Sequence, residues 1–189
     1  EMTSRDWSSD VCSSDLPNRQ SIYHSKGRSL MQKIPSFTVN HLKLNPGVYV
    51  SRKDAVGNEV LTTFDIRMKA PNREIVMSTG TCHAIEHMGA TFLRNDPEYA
   101  DKTIYWGPMG CRTGFYAILK GDLSPMDIQK LLIRLFRAMA SFEGVIPGAS
   151  PKDCGNFEDM DLFSAKIESQ CFVDNVLTIL SEDNTVYPV

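Results

Sequence analysis

The sequence lacks long apolar runs, strong net charge and a secretory leader. No apolar run approaches the roughly 20 residues that a bilayer-spanning helix needs, so we expect no membrane segment. The net charge of -3 and the pI near 5.8 argue against a surface for nucleic acid or anionic membranes. The first residues also lack the basic-then-apolar order of a signal peptide. We therefore expect a cytoplasmic protein.

Length and cysteine content narrow the class further. A chain of 189 residues that is 42% apolar can bury one good core, and one functional domain is expected. Five cysteines without a leader favour a reducing compartment, in which thiols serve as ligands or catalysts and not as structural disulfides.

The first thirty residues differ from the rest of the chain. Residues 9–16 are low in complexity and carry no helix or strand period. Residues 10–16 back-translate to a common sequencing-library adapter, and residues 26–28 to a purine-rich ribosome-binding site. We therefore expect residues 1–30 to be a non-native or disordered leader, Met31 to be the natural start, and residues 31–189 to form the functional domain. A natural disordered tail is the alternative.

Hydrophobic periodicity and turn residues predict an α+β fold, with an antiparallel β-sheet packed against helices in a single domain. The Ser-Pro pair at residues 124–125 is typical of a helix start. The predicted strands are Ser36–Asn40, Gly47–Lys53, Val60–Met68, Thr103–Tyr105 and Gly114–Leu119. The predicted helices run from Ser78 or Thr79 to Arg94, from Ser124 onward, and from Asp159 to Leu180.

The most informative motif is H-x-x-E-H, formed by His83, Glu86 and His87. Two imidazoles four residues apart on a helix share one face and can bind one metal ion. Glu86 leans over the same face and can move protons beside that ion. A catalytic zinc or ferrous site needs a third protein ligand, for which Cys154 is attractive because loops can direct a thiolate toward a helix. From spacing alone, a small buried loop cysteine is an equally good interpretation.

The sequence predicts different roles for the cysteines at positions 82, 111 and 171. Cys111 follows a Gly- and Pro-rich turn whose amides, together with Arg112, could stabilise a thiolate that acts as a base or nucleophile. The alternative is a core cysteine at the start of a strand. Cys82 and Cys171 are expected to pack in the core.

Three further polar residues are candidates for substrate contacts. Arg67 and Arg94 are normally solvated or ion-paired, but either could bind the carboxylate of an amino-acid-like substrate in a bidentate fork. His41 becomes a candidate only through the resemblance that follows.

Several motifs occur together in one order. They are Ser36-Phe37 with His41, Gly47–Arg52, Phe64–Arg67, His83–His87, Gly107–Gly114 and Pro151–Asn156. Together they resemble the S-ribosylhomocysteine lyase family, the LuxS-type enzymes of autoinducer-2 synthesis. The resemblance covers Pro35 to the final helix and none of residues 1–30. H-x-x-E-H alone would be a weak sign, but its combination with P-M-G-C-x-T-G and D-C-G-N is highly specific.

The resemblance implies a LuxS/metallohydrolase-like fold and one divalent metal, with Fe²⁺ expected and Zn²⁺ or Co²⁺ possible. His83, His87 and Cys154 match the family's metal ligands. The implied reaction is redox-neutral: the ribose carbonyl migrates through enediolates, and β-elimination then releases homocysteine and 4,5-dihydroxy-2,3-pentanedione. Cys111 and Glu86 match the family's two general bases.

The resemblance also implies a homodimer with active sites at the interface and S-ribosylhomocysteine as the small-molecule substrate. The residues that match the substrate pocket, several of them from the partner subunit, are Ser36, Phe37, His41, Arg67 and Arg94. Two departures stand out: small residues around Gly89, and Tyr105-Trp106 in place of an acidic and an aliphatic residue. They put the ribose contacts in question, but not the metal site.

Two other functions fit parts of the pattern. An inverzincin-type metallopeptidase would use the same motif, with Glu143, Glu158 or Glu168 as its third ligand. A metal-storing or metal-sensing module would need the ligands and no catalyst.

Overall fold

Four of the predicted strand segments pair into one antiparallel sheet. The computed structural model describes residues 38–188, and its strands are β1 (Gly47–Val56), β2 (Glu59–Arg67), β3 (Thr103–Pro108) and β4 (Gly114–Lys120). Their order across the sheet is β1-β2-β4-β3. The leader predicted for residues 1–30, Met31, and the candidate pocket residues Ser36 and Phe37 lie outside the described residues.

The hairpin of β1 and β2 is tighter than the sequence predicted. Val56 pairs with Glu59, so only Gly57 and Asn58 remain for the turn. Gly57 has φ 61°, a left-handed conformation that glycine adopts without steric cost. Both strands therefore extend to this turn.

Three helices follow the cap signals in the sequence. They are α1 (Thr79–Arg94), α2 (Pro125–Ala140) and α3 (Leu162–Asn175). The Ser78 hydroxyl accepts a hydrogen bond from the Thr81 N–H at the start of α1, and Ser124 and Asp127 form a capping box at the start of α2. These caps satisfy N–H groups that have no partner inside the helix. Four short 3₁₀ turns complete the described elements: Ala100–Lys102, Phe157–Asp159, Leu177–Ile179 and Glu182–Asn184.

Three local predictions were wrong. The final helix begins at Leu162 because the Asp161 carboxylate caps it through the Ser164 N–H, and after Asn175 the chain tightens into a 3₁₀ turn. Residues 38–40 contain no strand: the chain makes a turn at Thr38 and a bend at Val39, and the Lys43 N–H closes the next turn by donating to the Asn40 carbonyl. Cys171 is exposed, because it lies on the outward side of α3.

The helices pack against one face of the sheet, which we call the inner face. Phe64, Ile66 and Phe115 point from this face into the core and are fully buried, and Leu132 and Phe136 of α2 belong to the same cluster. The α+β class with an antiparallel sheet packed against helices is thereby confirmed. In residues 38–188, no helix combines the length and apolarity that crossing a membrane requires.

The two unusual segments noted in the sequence lie against each other. Trp106 of β3 is buried, stacks on Phe115 with ring centroids 5.0 Å apart, and donates its indole N–H to the Ile85 carbonyl at 3.3 Å. A Cβ on Gly89 would lie only 2.4 Å from Trp106 Nε1. The small residue on α1 thus makes room for the large one on β3. Trp106 contributes to the core, which explains the departure without a substrate contact.

Candidate metal centre and adjoining thiol

His83, His87 and Cys154 come together at the start of α1. One donor atom from each lies within 4.8 Å of the other two, and Cys154 Sγ is 3.3 Å from His83 Nε2. Tetrahedral coordination, with metal–nitrogen and metal–sulfur bonds near 2.0 and 2.3 Å, separates such donors by roughly 3.5 Å. The spacing therefore fits a single ion. Two imidazoles and a thiolate suit zinc or ferrous iron far better than magnesium or calcium.

The outer nitrogen of each imidazole faces a polar group, a hydrogen-bond acceptor for His87 and a more distant carboxylate for His83. His87 Nδ1 donates to the Pro147 carbonyl at 2.9 Å. The lone pair of Nε2 is therefore available to bind a metal ion. His83 Nδ1 lies 3.8 Å from an Asp159 carboxylate oxygen, while Nε2 faces Cys154. Contacts of this kind fix the tautomer and orientation of histidine ligands.

The loop before Cys154 is shaped by its own hydrogen bonds. The Ser150 carbonyl accepts from the N–H groups of Asp153 and Cys154 at 3.1 and 3.0 Å. The Asn156 N–H donates to Cys154 Sγ at 3.4 Å, which orients the side chain at the end of the loop. Gly148, with φ 73°, lies so close to His87 that a Cβ would be 3.1 Å from Nδ1. The loop is thus folded onto the second histidine as well as the first.

A glycine near the start of α1 allows the other side of the loop to approach. A Cβ on Gly80 would lie 2.2 Å from the Asp159 carbonyl oxygen, and the Gly80 carbonyl accepts from the Asp161 N–H at 3.0 Å. Because Gly80 precedes His83 by less than one turn, this contact brings Asp159 beside His83.

A cavity of about 390 Å³ opens next to the cluster. His83 and Glu86 line it from α1, so the carboxylate of the motif faces the same space as the first histidine. The opposite wall is the turn that carries Cys111. The lining residues are Thr79, Cys82, His83, Glu86, Pro108, Met109, Gly110 and Arg112.

Cys111 is exposed and lies between Gly110 and Arg112, two residues that line this cavity. Thr113 Oγ1 lies 3.0 Å from its sulfur, and Arg67 Nη1 lies 3.8 Å from it. Partial burial alone would raise the pKa of the Cys111 thiol, but the hydrogen bonds from Thr113 and the positive charge of Arg67 outweigh that effect and hold the pKa below its usual value. By contrast, burial raises the pKa of Cys82 to about 11. The two neighbouring thiols therefore differ in thiolate content.

The turn around Cys111 is strained at one position. Arg112 has φ 58°, a left-handed conformation that costs a residue with a side chain about 1 kcal/mol or more. The strain is compensated locally: the Arg112 N–H donates to the Met109 carbonyl at 2.8 Å, and its own carbonyl accepts from the Met77 N–H at 3.2 Å. The resulting geometry presents Cys111 outward.

The predicted substrate residues are less closely grouped within one chain. Arg67 is only 3% exposed and forms a two-point ion pair with Asp65, with Nε–Oδ1 at 3.0 Å and Nη2–Oδ2 at 2.5 Å. Arg94 is exposed at the end of α1, where it contacts the Ala90 carbonyl. His41 Nδ1 is 2.9 Å from the Val39 carbonyl. Neither Arg94 nor His41 lines the cavity beside the cluster in this chain.

Sequence reasoning missed four polar residues that support the site: Asp65, Thr113, Asp159 and Tyr187. The Asp65-x-Arg67 spacing places both side chains on one face of β2, which was a usable signal. Asp159 and Tyr187 reach their partners only through the tertiary fold, and no local pattern marks them.

None of the three glutamates proposed for the peptidase alternative belongs to the group that could hold a metal ion in residues 38–188. Within residues 38–188, the His/Cys/Asp/Glu group placed to hold a metal ion consists of the two histidines and Cys154. Glu143 pairs with Lys166, and Glu168 pairs with Lys69 at 2.6 Å. The third donor atom in the group is therefore the Cys154 sulfur, whereas the metallopeptidase alternative requires a glutamate there.

Comparison with known proteins identifies one family. The chain is 61% identical over 158 residues to the S-ribosylhomocysteine lyase of Clostridium beijerinckii, covering 84% of this chain and 99% of that relative. The S-ribosylhomocysteine lyases of Finegoldia magna and Phocaeicola vulgatus are 58% and 55% identical, again over 84% of this chain and over 99% and 98% of their own lengths. The family model of S-ribosylhomocysteinase (LuxS) matches residues 34–183. The chain therefore belongs to the S-ribosylhomocysteinase (LuxS) family.

Proposed function

We propose that this protein is a metal-dependent S-ribosylhomocysteine lyase that releases homocysteine and 4,5-dihydroxy-2,3-pentanedione, the precursor of autoinducer-2. The observation that carries the proposal is the convergence of two imidazoles and a thiol on one point beside a cavity, with a carboxylate and a second thiol at its wall and rim. The names of the related proteins supply the substrate.

The proposed ligands are His83, His87 and Cys154, and the expected ion is Fe²⁺, with Zn²⁺ or Co²⁺ as substitutes. The mixed nitrogen and sulfur donors support a borderline or soft divalent metal. When bound, the ion supplies Lewis acidity to the carbonyl and hydroxyl oxygens of the ribose.

Cys111 is the proposed base for the early isomerisations. Its thiolate accepts a proton from the sugar carbon next to the carbonyl, and returns it to the neighbouring carbon as the carbonyl moves along the chain. Arg67 and Thr113 favour the thiolate through their contacts with Sγ. An exposed sulfur at the cavity rim can reach a bound sugar without rearrangement of the fold.

Glu86 is the proposed second proton carrier. It lies on the face of α1 that lines the cavity. Its carboxylate can therefore transfer protons on the face of the sugar opposite to the one that Cys111 contacts. In the last step a proton leaves the carbon next to the carbonyl as the carbon–sulfur bond breaks, and the departing sulfur takes a proton. No oxidant or reductant is consumed.

Assembly of the complete pocket is proposed to require a homodimer. Arg94 and His41 lie apart from the cavity within one chain, which supports a site that takes some of its residues from a second copy. The proposed substrate contacts are Ser36, Phe37, His41, Arg67 and Arg94. The functional domain is proposed to span residues 31–189 and to work in the cytoplasm, where the four described cysteines, all of them free, would remain reduced.

The direct test is release of free thiol from S-ribosylhomocysteine by the purified, Fe²⁺-loaded full chain. We expect Cys111→Ala to abolish turnover while the bound metal, measured by elemental analysis, stays at the wild-type level. Cys154→Ala should lose metal and activity together. Peptide hydrolysis without thiol release would favour a peptidase, and full metal occupancy without either activity would favour a storage or sensor module; each result would overturn the lyase proposal.

Glu86→Gln separates proton transfer from metal binding. This variant keeps the shape of the side chain but removes the base, so we expect normal metal content and a fall in kcat of about 10²–10⁴-fold. An isomerised substrate that accumulates without release of homocysteine would place Glu86 in the later steps. Metal loss in this variant would contradict its assigned role.

A further inference from the structure

Tyr187 lies near the end of the chain against the outer face of the sheet, the face opposite the helices. Its ring stacks on Tyr49 with centroids 4.8 Å apart and planes 4° from parallel. Its hydroxyl donates to Asp65 Oδ2 at 3.0 Å. Tyr187 thus makes a specific contact 122 residues away along the sequence.

Asp65 is the shared acceptor of this contact. Its carboxylate is 2% exposed and receives two N–H groups of Arg67 as well as the Tyr187 hydroxyl. A buried carboxylate is stable in charged form only when donors satisfy it. Of these three donors to Asp65, two belong to Arg67 and the third is the Tyr187 hydroxyl.

Arg67 connects this carboxylate to the site. The two guanidinium nitrogens that face Asp65 fix the plane of the group, and the third, Nη1, reaches Thr113 Oγ1 at 2.5 Å and Cys111 Sγ at 3.8 Å. A continuous set of polar contacts therefore runs from Tyr187 through Asp65 and Arg67 to the sulfur of Cys111.

We propose that Tyr187 is a positioning residue for Cys111: by sharing the Asp65 carboxylate, it keeps the Arg67 guanidinium available to the Cys111 sulfur. Without the hydroxyl, the negative charge of Asp65 is less well compensated and draws more strongly on Arg67, which weakens the stabilisation of the thiolate. The importance of this contact for catalysis rests on the proposed function, in which Cys111 is a base. The effect of Tyr187 on the titration of the Cys111 thiol does not depend on that function.

The substitution of Tyr187 changes none of the other charged and titratable residues near Cys111. They are Tyr116 of β4, Cys82 of α1 and Arg112 in the same turn, in addition to Arg67 and Asp65. A change in the titration of Cys111 in a Tyr187 variant can therefore be traced to the contact with Asp65.

The test is the rate at which iodoacetamide alkylates Cys111 in the full chain as a function of pH, read by mass spectrometry of the Cys111 peptide. Alkylation follows the thiolate fraction. We expect Tyr187→Phe, which keeps the stacked ring, to raise the midpoint by roughly 0.5 pH unit, or to slow alkylation about threefold below the midpoint. Tyr99→Phe is the matched control, because the Tyr99 hydroxyl donates to the Asp127 carbonyl at 3.2 Å outside this set of contacts. An unchanged midpoint in Tyr187→Phe, or an equal shift in Tyr99→Phe, would overturn the proposal.

A second comparison tests the route through Asp65. In an Asp65→Asn background, Tyr187→Phe should shift the Cys111 midpoint no further, since residues that act through a common partner are not additive. A full additional shift would show that Tyr187 acts by another path and would overturn the proposal. No substrate is present in either experiment, so a wild-type protein without lyase activity would refute the proposed function and leave this result standing.

Discussion

At the residue scale, the two histidines of the candidate metal centre are held by different partners. His87 is held by a neutral backbone carbonyl, whereas His83 faces the charged carboxylate of Asp159. A carboxylate near the outer nitrogen of a histidine ligand supports metal binding more strongly than a neutral carbonyl does. The two ligands from one helix are therefore not equivalent.

We expect Asp159→Asn to weaken metal retention by about tenfold, because the carboxylate near His83 is lost while the side-chain shape is kept. The measurement is competition for Zn²⁺ against a chromophoric chelator, with no substrate present. Glu158→Gln serves as the control, since it removes the same charge from an exposed neighbour in the same 3₁₀ turn. Equal weakening in both variants would indicate a general charge effect and contradict the role of Asp159.

The sequence predicted single residues well wherever spacing alone sets the geometry. His83, Glu86 and His87 share one helix, so their common face followed from the helical period. The position of Cys154 remained open because a loop cysteine 71 residues away from His83 reaches the cluster only through tertiary packing. The contact between Asp65 and Tyr187 was beyond local reasoning for the same reason.

At the scale of elements, the close packing of α1 against β3 depends on the pair formed by Gly89 and Trp106. Helix propensity alone predicts that alanine at Gly89 would stabilise the chain by about 1 kcal/mol. The structure predicts the opposite sign, because the new methyl group would lie 2.4 Å from Trp106 Nε1 and 3.1 Å from Met139 Cε.

We expect Gly89→Ala to lower the free energy of unfolding by about 1–3 kcal/mol through overpacking, as measured by urea denaturation. In a Trp106→Val background the clash is absent, so the same substitution should be neutral or stabilising. A destabilisation of equal size in both backgrounds would show that Trp106 is not the residue that Gly89 accommodates.

The starts of α1 and α2 were predicted closely, and the bounds of the last helix were not. Ser78 and Ser124 carry local cap signals that work without knowledge of the fold. The apolar pattern of α3 continues through Leu177 and Leu180, yet the chain leaves the α-helix at Asn175. There the Leu177 carbonyl accepts a hydrogen bond from the Gln129 side chain of α2 at 2.8 Å, a tertiary contact that competes with helix continuation.

At the scale of the whole molecule, the proposed active site is larger than one chain. The cavity is lined by His83, Glu86 and the residues on both sides of Cys111, and His41 is not among its lining residues. If a second copy supplies His41, the two sites of a dimer each combine residues from both chains.

Mixing two inactive variants tests this arrangement. Cys111→Ala and His41→Ala should each be nearly inactive as homodimers. After unfolding and refolding together, mixed dimers contain one site with both residues intact, so we expect about a quarter of wild-type turnover for random pairing. Thiol release from S-ribosylhomocysteine measures the recovery. A mixture no more active than the average of the two variants would place both residues in the same chain's site.

The long separation between His83 and Cys154 also bears on how the protein matures. A growing polypeptide that has exposed both imidazoles must extend by 67 further residues, from His87 to Cys154, before the third donor is made, and until then the pair is a weak, incomplete chelate. Capture of the proposed ion would therefore come late in biogenesis, after all four strands have emerged. A product cut short before the loop would contain the whole sheet but lack Cys154, and it would compete poorly for the cell's divalent ions.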